Sequence, residues 1–149
     1  MRPTLYDFAG GAPALLALAR AHHARCLADP ELSHPFSHPD QHPQHVERLA
    51  AYWAEAMGGP PEYSRACGDH SGVLVMHAHN GDITDLGERF VRAFVAALDD
   101  AGLPDDAQFR TTMRAHMERA VDEVLLYGPV DAEVPADRPM PTWTWAAPT

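Results

Sequence analysis

Gln44-His45-Val46-Glu47-Arg48-Leu49-Ala50-Ala51-Tyr52-Trp53-Ala54-Glu55-Ala56-Met57, closed by Gly58-Gly59-Pro60-Pro61, is the stretch whose reading decides the fold. At about 100° per residue, His45, Leu49, Tyr52, Trp53 and Ala56 share one face while Glu47, Ala51 and Glu55 fall elsewhere, the pattern of a surface helix with one buried side. The Gly-Gly-Pro-Pro run stops it. Upstream, residues 13–27 gather Leu15, Leu16, Leu18, Ala19, His22, His23, Cys26 and Leu27 on one side, with Arg20 and Arg25 opposite. Downstream, residues 84–98 place Leu86, Phe90, Ala93, Phe94 and Ala97 inward, with Thr84 as the expected N-cap and Gly102 just past the end. Residues 104–127 align Phe109, Met113, His116, Met117, Ala120, Val124 and Tyr127.

Between these helices the punctuation is dense. Asp29-Pro30-Glu31-Leu32 predicts one short turn and a corner that runs into Phe36 between Pro35 and Pro39. Residues 60–72 read mostly as loop, and Val73-Leu74-Val75-Met76-His77 fits either a very short helix or a strand-like run. Strand-like alternation is otherwise almost absent, so the expected class is all-α. After Gly128, Pro129, Pro135, Pro139, Pro141 and Pro148 rule out a helix. Residues 1–128 are therefore expected to form one domain and 129–149 a tail. Trp143 and Trp145 in that tail either hang in a floppy appendage or lie against the body or a partner.

The 149 residues suffice for one domain, and 46% are apolar. No apolar run approaches the roughly 18 residues of a spanning helix. Eleven basic residues, all arginine, against 21 acidic ones give a formal charge of -10, which repels phosphate backbones and anionic lipid surfaces. Nucleic acid and membrane are poor partner expectations. Cys26 and Cys67 make no disulfide framework, and the first residues lack the apolar region of a secretory signal, so a cytoplasmic location is expected.

Ten histidines at positions 22, 23, 34, 38, 42, 45, 70, 77, 79 and 116 are the unusual feature. A lone core imidazole is usually hydrogen-bonded locally, but His22, His23, His45 and His116 all fall on inward faces, and His77 follows an apolar run. Together they suggest a polar centre within the helices. HExxH and CxxC are absent, and Pro39 and Pro43 break the face shared by His38, His42 and His45, so a solvated His-Pro corner is the plainer reading there. GxSxG, GxGxxG and P-loop motifs are also missing. A flat apolar ligand whose metal takes one neutral imidazole, such as haem, suits the pattern.

Thr4-Leu5-Tyr6-Asp7 with Gly10-Gly11, then Leu27-Ala28-Asp29-Pro30, then Tyr52-Trp53 with Gly58-Gly59-Pro60-Pro61-Glu62-Tyr63, and finally Met76-His77-Ala78 resemble, in order and spacing, the truncated haemoglobins of group II over residues 4–127. The resemblance implies a two-over-two helical sandwich holding haem b, with His77 as the proximal iron ligand and Val73, Leu74, Val75 and Met76 as apolar wall. His79 is the competing imidazole. On the opposite haem face the resemblance places Phe36 at a haem-contacting corner and His45 and Leu49 on the distal helix. His23 stands where the family's distal tyrosine is usual, and Phe90 where an indole is usual. Basic residues are missing just before His77, so Arg48, Arg65 or Tyr63 become the candidate propionate partners.

The leading expectation is a haem protein that binds dioxygen or another diatomic ligand (NO, CO), with nitric oxide dioxygenation or peroxide reduction, served by a reductase, as its redox uses. Whether it is an enzyme stays open, and a homodimer is the first candidate assembly. Two alternatives remain: a haem-free globin-fold interaction module that works through the Trp143 and Trp145 tail, and a histidine-rich non-haem metalloprotein.

Overall fold

The computed structural model describes residues 2–33 and 41–148 and, among them, seven helices and no strand. They are α1 (Leu5–Ala9), α2 (Ala12–Ala28), α3 (His45–Ala56), α4 (Glu62–Ala66), α5 (His70–His77), α6 (Thr84–Asp100) and α7 (Ala107–Leu125). Phe36, like His34 and His38, lies outside the described residues.

Helix α2 is buried on more than one side because it packs against both α3 and α6. Leu15, Leu18, Ala19, His22 and Cys26 are its buried residues. Leu27, expected inward, is instead 43% exposed. Helix α6 packs in turn on α7, so the pairs α2/α3 and α6/α7 form the two layers of a two-over-two sandwich. Trp53 and Phe94 meet edge to face at 5.1 Å between the layers, with Met57, Phe109 and Met113 closing the core around them. Where α6 crosses α7, Gly87 is needed for lack of a side chain: a Cβ there would lie 2.7 Å from Val121 Cγ1.

The two ends of the glycine-marked motif support each other. Thr4 Oγ1 caps α1 by accepting from the Asp7 N–H, and the Tyr6 N–H donates to Met57 O at 3.0 Å. A Cβ on Gly59 would strike the Tyr6 ring at 2.7 Å, so the Gly-Gly after α3 is the seat for that aromatic. Residues 60–72, expected as loop, contain α4 and the start of α5. The Glu55 carboxylate takes the Ser64 N–H at 2.9 Å, and Asp69 caps α5 by accepting from Gly72 N at 2.7 Å. Val73–His77 is the helical end of α5. Thr84 begins α6 rather than capping it, and Asp82 accepts from its N–H and hydroxyl at 3.0 and 2.6 Å.

The segment after α7 lies against the body. The Trp143 backbone N–H donates to Ala56 O at 2.6 Å and the residue is 5% exposed. Trp145 sits edge-on to Phe8 at 5.0 Å, gives its indole N–H to Pro3 O, and carries the Arg2 guanidinium over its ring.

Candidate functional site

The end of α5 presents His77 on an exposed side. Its Nδ1–H donates to Val73 O, one turn back, at 2.8 Å. That bond fixes the ring's tautomer and orientation and leaves the Nε2 lone pair pointing away from its own helix. His79, the competing imidazole, is held through its other nitrogen, which leaves Nδ1 as its lone pair. Its backbone takes the left-handed conformation, its N–H donates to Tyr127 O at 2.8 Å, and its Nε2–H donates to Ala132 O at 2.7 Å. Val75 and Met76, expected as pocket wall, are 59% and 67% exposed beside His77, while Leu74 turns into the core.

Helices α2 and α3 bring three imidazoles together. His23 and His45 approach with ring centroids 5.7 Å apart, and His22 is fully buried behind them among Phe90 (4.4 Å), Trp53 (5.5 Å) and Phe94 (6.0 Å). Burial lowers the pKa of all three, that of His22 to about 4, and a hydrogen bond to Phe90 O only partly offsets it. For His45 the charges of His23 and then His77 add to burial, which places the α5 imidazole within electrostatic reach of the α3 imidazole. Near neutral pH the three rings are uncharged, each with one N–H donor and one lone pair. Leu49 is partly buried one turn after His45.

Arg48 also acts on His45, and it gives its Nη2–H to Cys67 O at 2.8 Å. Tyr63 lies beside it, 5% exposed and edge-on to Tyr52 at 5.3 Å. Burial raises its pKa. Arg65, the other basic candidate, is on the outside, paired with Glu62. The single polar centre expected from the histidine pattern is divided in two. His116 faces the tail, donating to Thr144 O at 2.7 Å and stacking on Trp143.

Sequence reasoning missed a second buried group altogether, in which Tyr52, His70 and Glu123 are joined in line. Tyr52 was visible only as an apolar-face residue, and no local spacing links position 70 to position 123.

The donor set suits haem. One imidazole offers a free-facing Nε2 with exposed aliphatic side chains beside it, and neutral imidazoles oppose it, the requirements of a porphyrin iron. Among the described residues no group of three or more His, Cys, Asp or Glu could hold a bare metal ion.

An all-α, two-over-two sandwich carrying this set of imidazoles defines a globin of the shortened kind. Residues 4–124 match the bacterial-like globin family model, and the chain belongs to that family. Haem iron is accordingly its cofactor. A haemoglobin from the thermophilic phototrophic bacterium Chloroflexus aurantiacus is 26% identical, with TM-score 0.69 over 83% of this chain and 98% of that one. A thermostable haemoglobin from the actinobacterium Thermobifida fusca is 27% identical, with TM-score 0.68 over 83% and 97%. The fold is shared too with a group II 2-on-2 haemoglobin from the plant pathogen Agrobacterium tumefaciens, 23% identical, with TM-score 0.68 over 83% and 94%. Among curated proteins none matches significantly. No helix among the described residues is long and apolar enough to cross a membrane.

Proposed function

We propose that the chain binds haem b through His77 Nε2 and uses the opposite face of the iron to bind dioxygen or a related diatomic ligand. The observation that carries this is the Nδ1–H bond from His77 to Val73 O, which leaves Nε2 as the lone pair, with the ring close enough to His45 for their charges to interact. When bound, haem supplies an iron centre for a small ligand and for one-electron chemistry. Met76 and Val75 would line the proximal face, with Leu49 and Phe90 on the distal side. Phe36 keeps its proposed place at the haem corner from the family resemblance alone.

His23 and His45 would aim N–H donors at a ligand that gathers negative charge on its outer atoms, favouring slow release of dioxygen over simple exchange. The same donors suit nitric oxide dioxygenation or peroxide reduction, with a reductase returning electrons. Arg48, already at the rim beside Tyr63, is the better candidate propionate partner, since Arg65 faces solvent. A homodimer and a cytoplasmic location remain part of the proposal.

The haem-free interaction module keeps its basis in the changed distal residues and the missing basic residues before His77, but Trp143 and Trp145 pack on this chain's own body rather than on a free surface. The purified protein, supplemented with haem, tests the proposal: an intense Soret band at one haem per chain is expected, and no band after supplementation overturns it.

A further inference from the structure

Tyr52, His70 and Glu123 form a buried line of hydrogen bonds that nothing in diatomic binding requires. The Tyr52 hydroxyl lies 2.7 Å from His70 Nδ1, and His70 Nε2 lies 2.6 Å from Glu123 Oε1. Tyr52 is 9% exposed, His70 6%, and the Glu123 side chain 13%. The direction of the line follows from chemistry. A carboxylate only accepts, so Nε2 carries a proton; in the neutral ring Nδ1 is then the lone pair, and the phenol donates to it. A tyrosine that donates to a neutral base whose far side is held by an anion is arranged to lose its proton.

Loss of the proton alone is opposed. Burial, followed by the Glu123 charge, raises the pKa of the phenol, so the phenolate is disfavoured. The charged groups around the relay from each neighbouring element are Glu55 of α3, Glu123 of α7, and Arg138 of the tail, whose Nη2 lies 3.9 Å from Glu123 Oε2. His116 and Arg119 of α7 line the adjoining cleft of about 270 Å³. In such a site the proton leaves readily only when an electron leaves with it, because a neutral radical escapes the penalty of a buried negative charge.

The relay is fixed to the two helices that carry the pocket imidazoles. Tyr52 is seven residues after His45 on α3, and His70 seven before His77 on α5, in each case two turns or roughly 10 Å along the axis. We infer that Tyr52 is a built-in one-electron donor to oxidants formed in the haem pocket, with His70 as its proton acceptor and Glu123 as the counter-charge. In the step, Tyr52 gives one electron to the oxidant and its hydroxyl proton to His70 Nδ1. The products are a neutral tyrosyl radical, an imidazolium paired with Glu123, and an oxidant reduced by one electron. Inside the protein that oxidant is haem iron raised by hydrogen peroxide, so this arm rests on the haem proposal; the proton chemistry of the relay does not.

Flash photolysis with photogenerated tris(bipyridyl)ruthenium(III) on the purified full chain acts whether or not haem is present, and therefore separates the relay from the haem proposal. A neutral tyrosyl radical is expected in the parent, in clearly lower yield in Tyr52→Phe, formed with a solvent deuterium isotope effect, and slowed about 10²-fold in His70→Gln, the lower range for a positioned proton acceptor. Gln keeps a hydrogen-bonding side chain at position 70 but accepts no proton at this pH. An equal radical yield in Tyr52→Phe, or an unchanged rate in His70→Gln, overturns the inference. In the second arm, freeze-quenched EPR after peroxide is expected to show the same Tyr52 radical in the haem-loaded parent. A radical by photolysis but none after peroxide overturns the connection to the pocket.

Discussion

Replacing His22 with leucine should remove most of the protein's sensitivity to mild acid. His22 is fully buried against Trp53, Phe90 and Phe94, and its pKa falls from 6.5 to about 4. Above pH 6.5 the ring is neutral in both folded and unfolded chains, and its contribution is complete. Between 6.5 and 4 the unfolded chain takes up a proton that the folded one refuses, so stability falls as pH falls. That difference, at 1.36 kcal/mol per pH unit, amounts to about 3 kcal/mol across the window. His23 and His45 shift in the same direction and steepen the fall. Asp29, Asp82 and Asp100, held below their ordinary value by hydrogen bonds, lose their contribution only at lower pH. Urea unfolding followed by tryptophan fluorescence from about pH 8 to about pH 4, at matched haem content, measures the effect. The parent should lose about 3 kcal/mol more than His22→Leu over that range, after a difference near pH 7 of about one hydrogen bond's worth, ~1 kcal/mol. Parallel pH curves for the two proteins would refute the reasoning.

Three further outcomes follow from the same geometry. Arg48→Ala should speed haem transfer to a scavenger by about 10- to 100-fold, the loss of a charge-assisted hydrogen bond, while Arg65→Ala leaves the rate unchanged; equal effects would remove Arg48 from the propionate role. His23→Phe and His45→Leu should each raise the dioxygen dissociation rate about tenfold or more in stopped-flow measurements, and unchanged rates would place the distal donors elsewhere. Trp143→Ala should cost about 3–5 kcal/mol in urea unfolding, because the residue is 5% exposed within the core, and Trp145→Ala measurably less.

The long helices were legible because each buries side chains that local spacing reveals: Tyr52, Trp53 and Ala56 for α3, with His45 and Leu49 half-buried on the same face, and Phe109, Met113 and Met117 for α7. Helix α4 and the start of α5 were not, because Pro60, Pro61 and Gly68 read as loop punctuation while the stabilising caps come from Glu55 and Asp69 side chains. His116 was expected beside the other core histidines, and only the docking of a tail 28 residues later decides that it serves Thr144. The choice of His77 over His79 rested on the resemblance. The contact that ties the His79 ring to Ala132 O, 53 residues distant, is one that no periodicity contains. The Tyr52, His70 and Glu123 line is hidden for the same reason, its links spanning 18 and 53 residues.

The optical spectrum of His77→Gly beside the parent, with and without added imidazole, tests the iron ligand most directly. The variant should lose the parent's Soret position and ferrous pattern and regain them when imidazole fills the vacated place. A variant whose haem spectrum is indistinguishable from the parent's without imidazole would show that another side chain holds the iron.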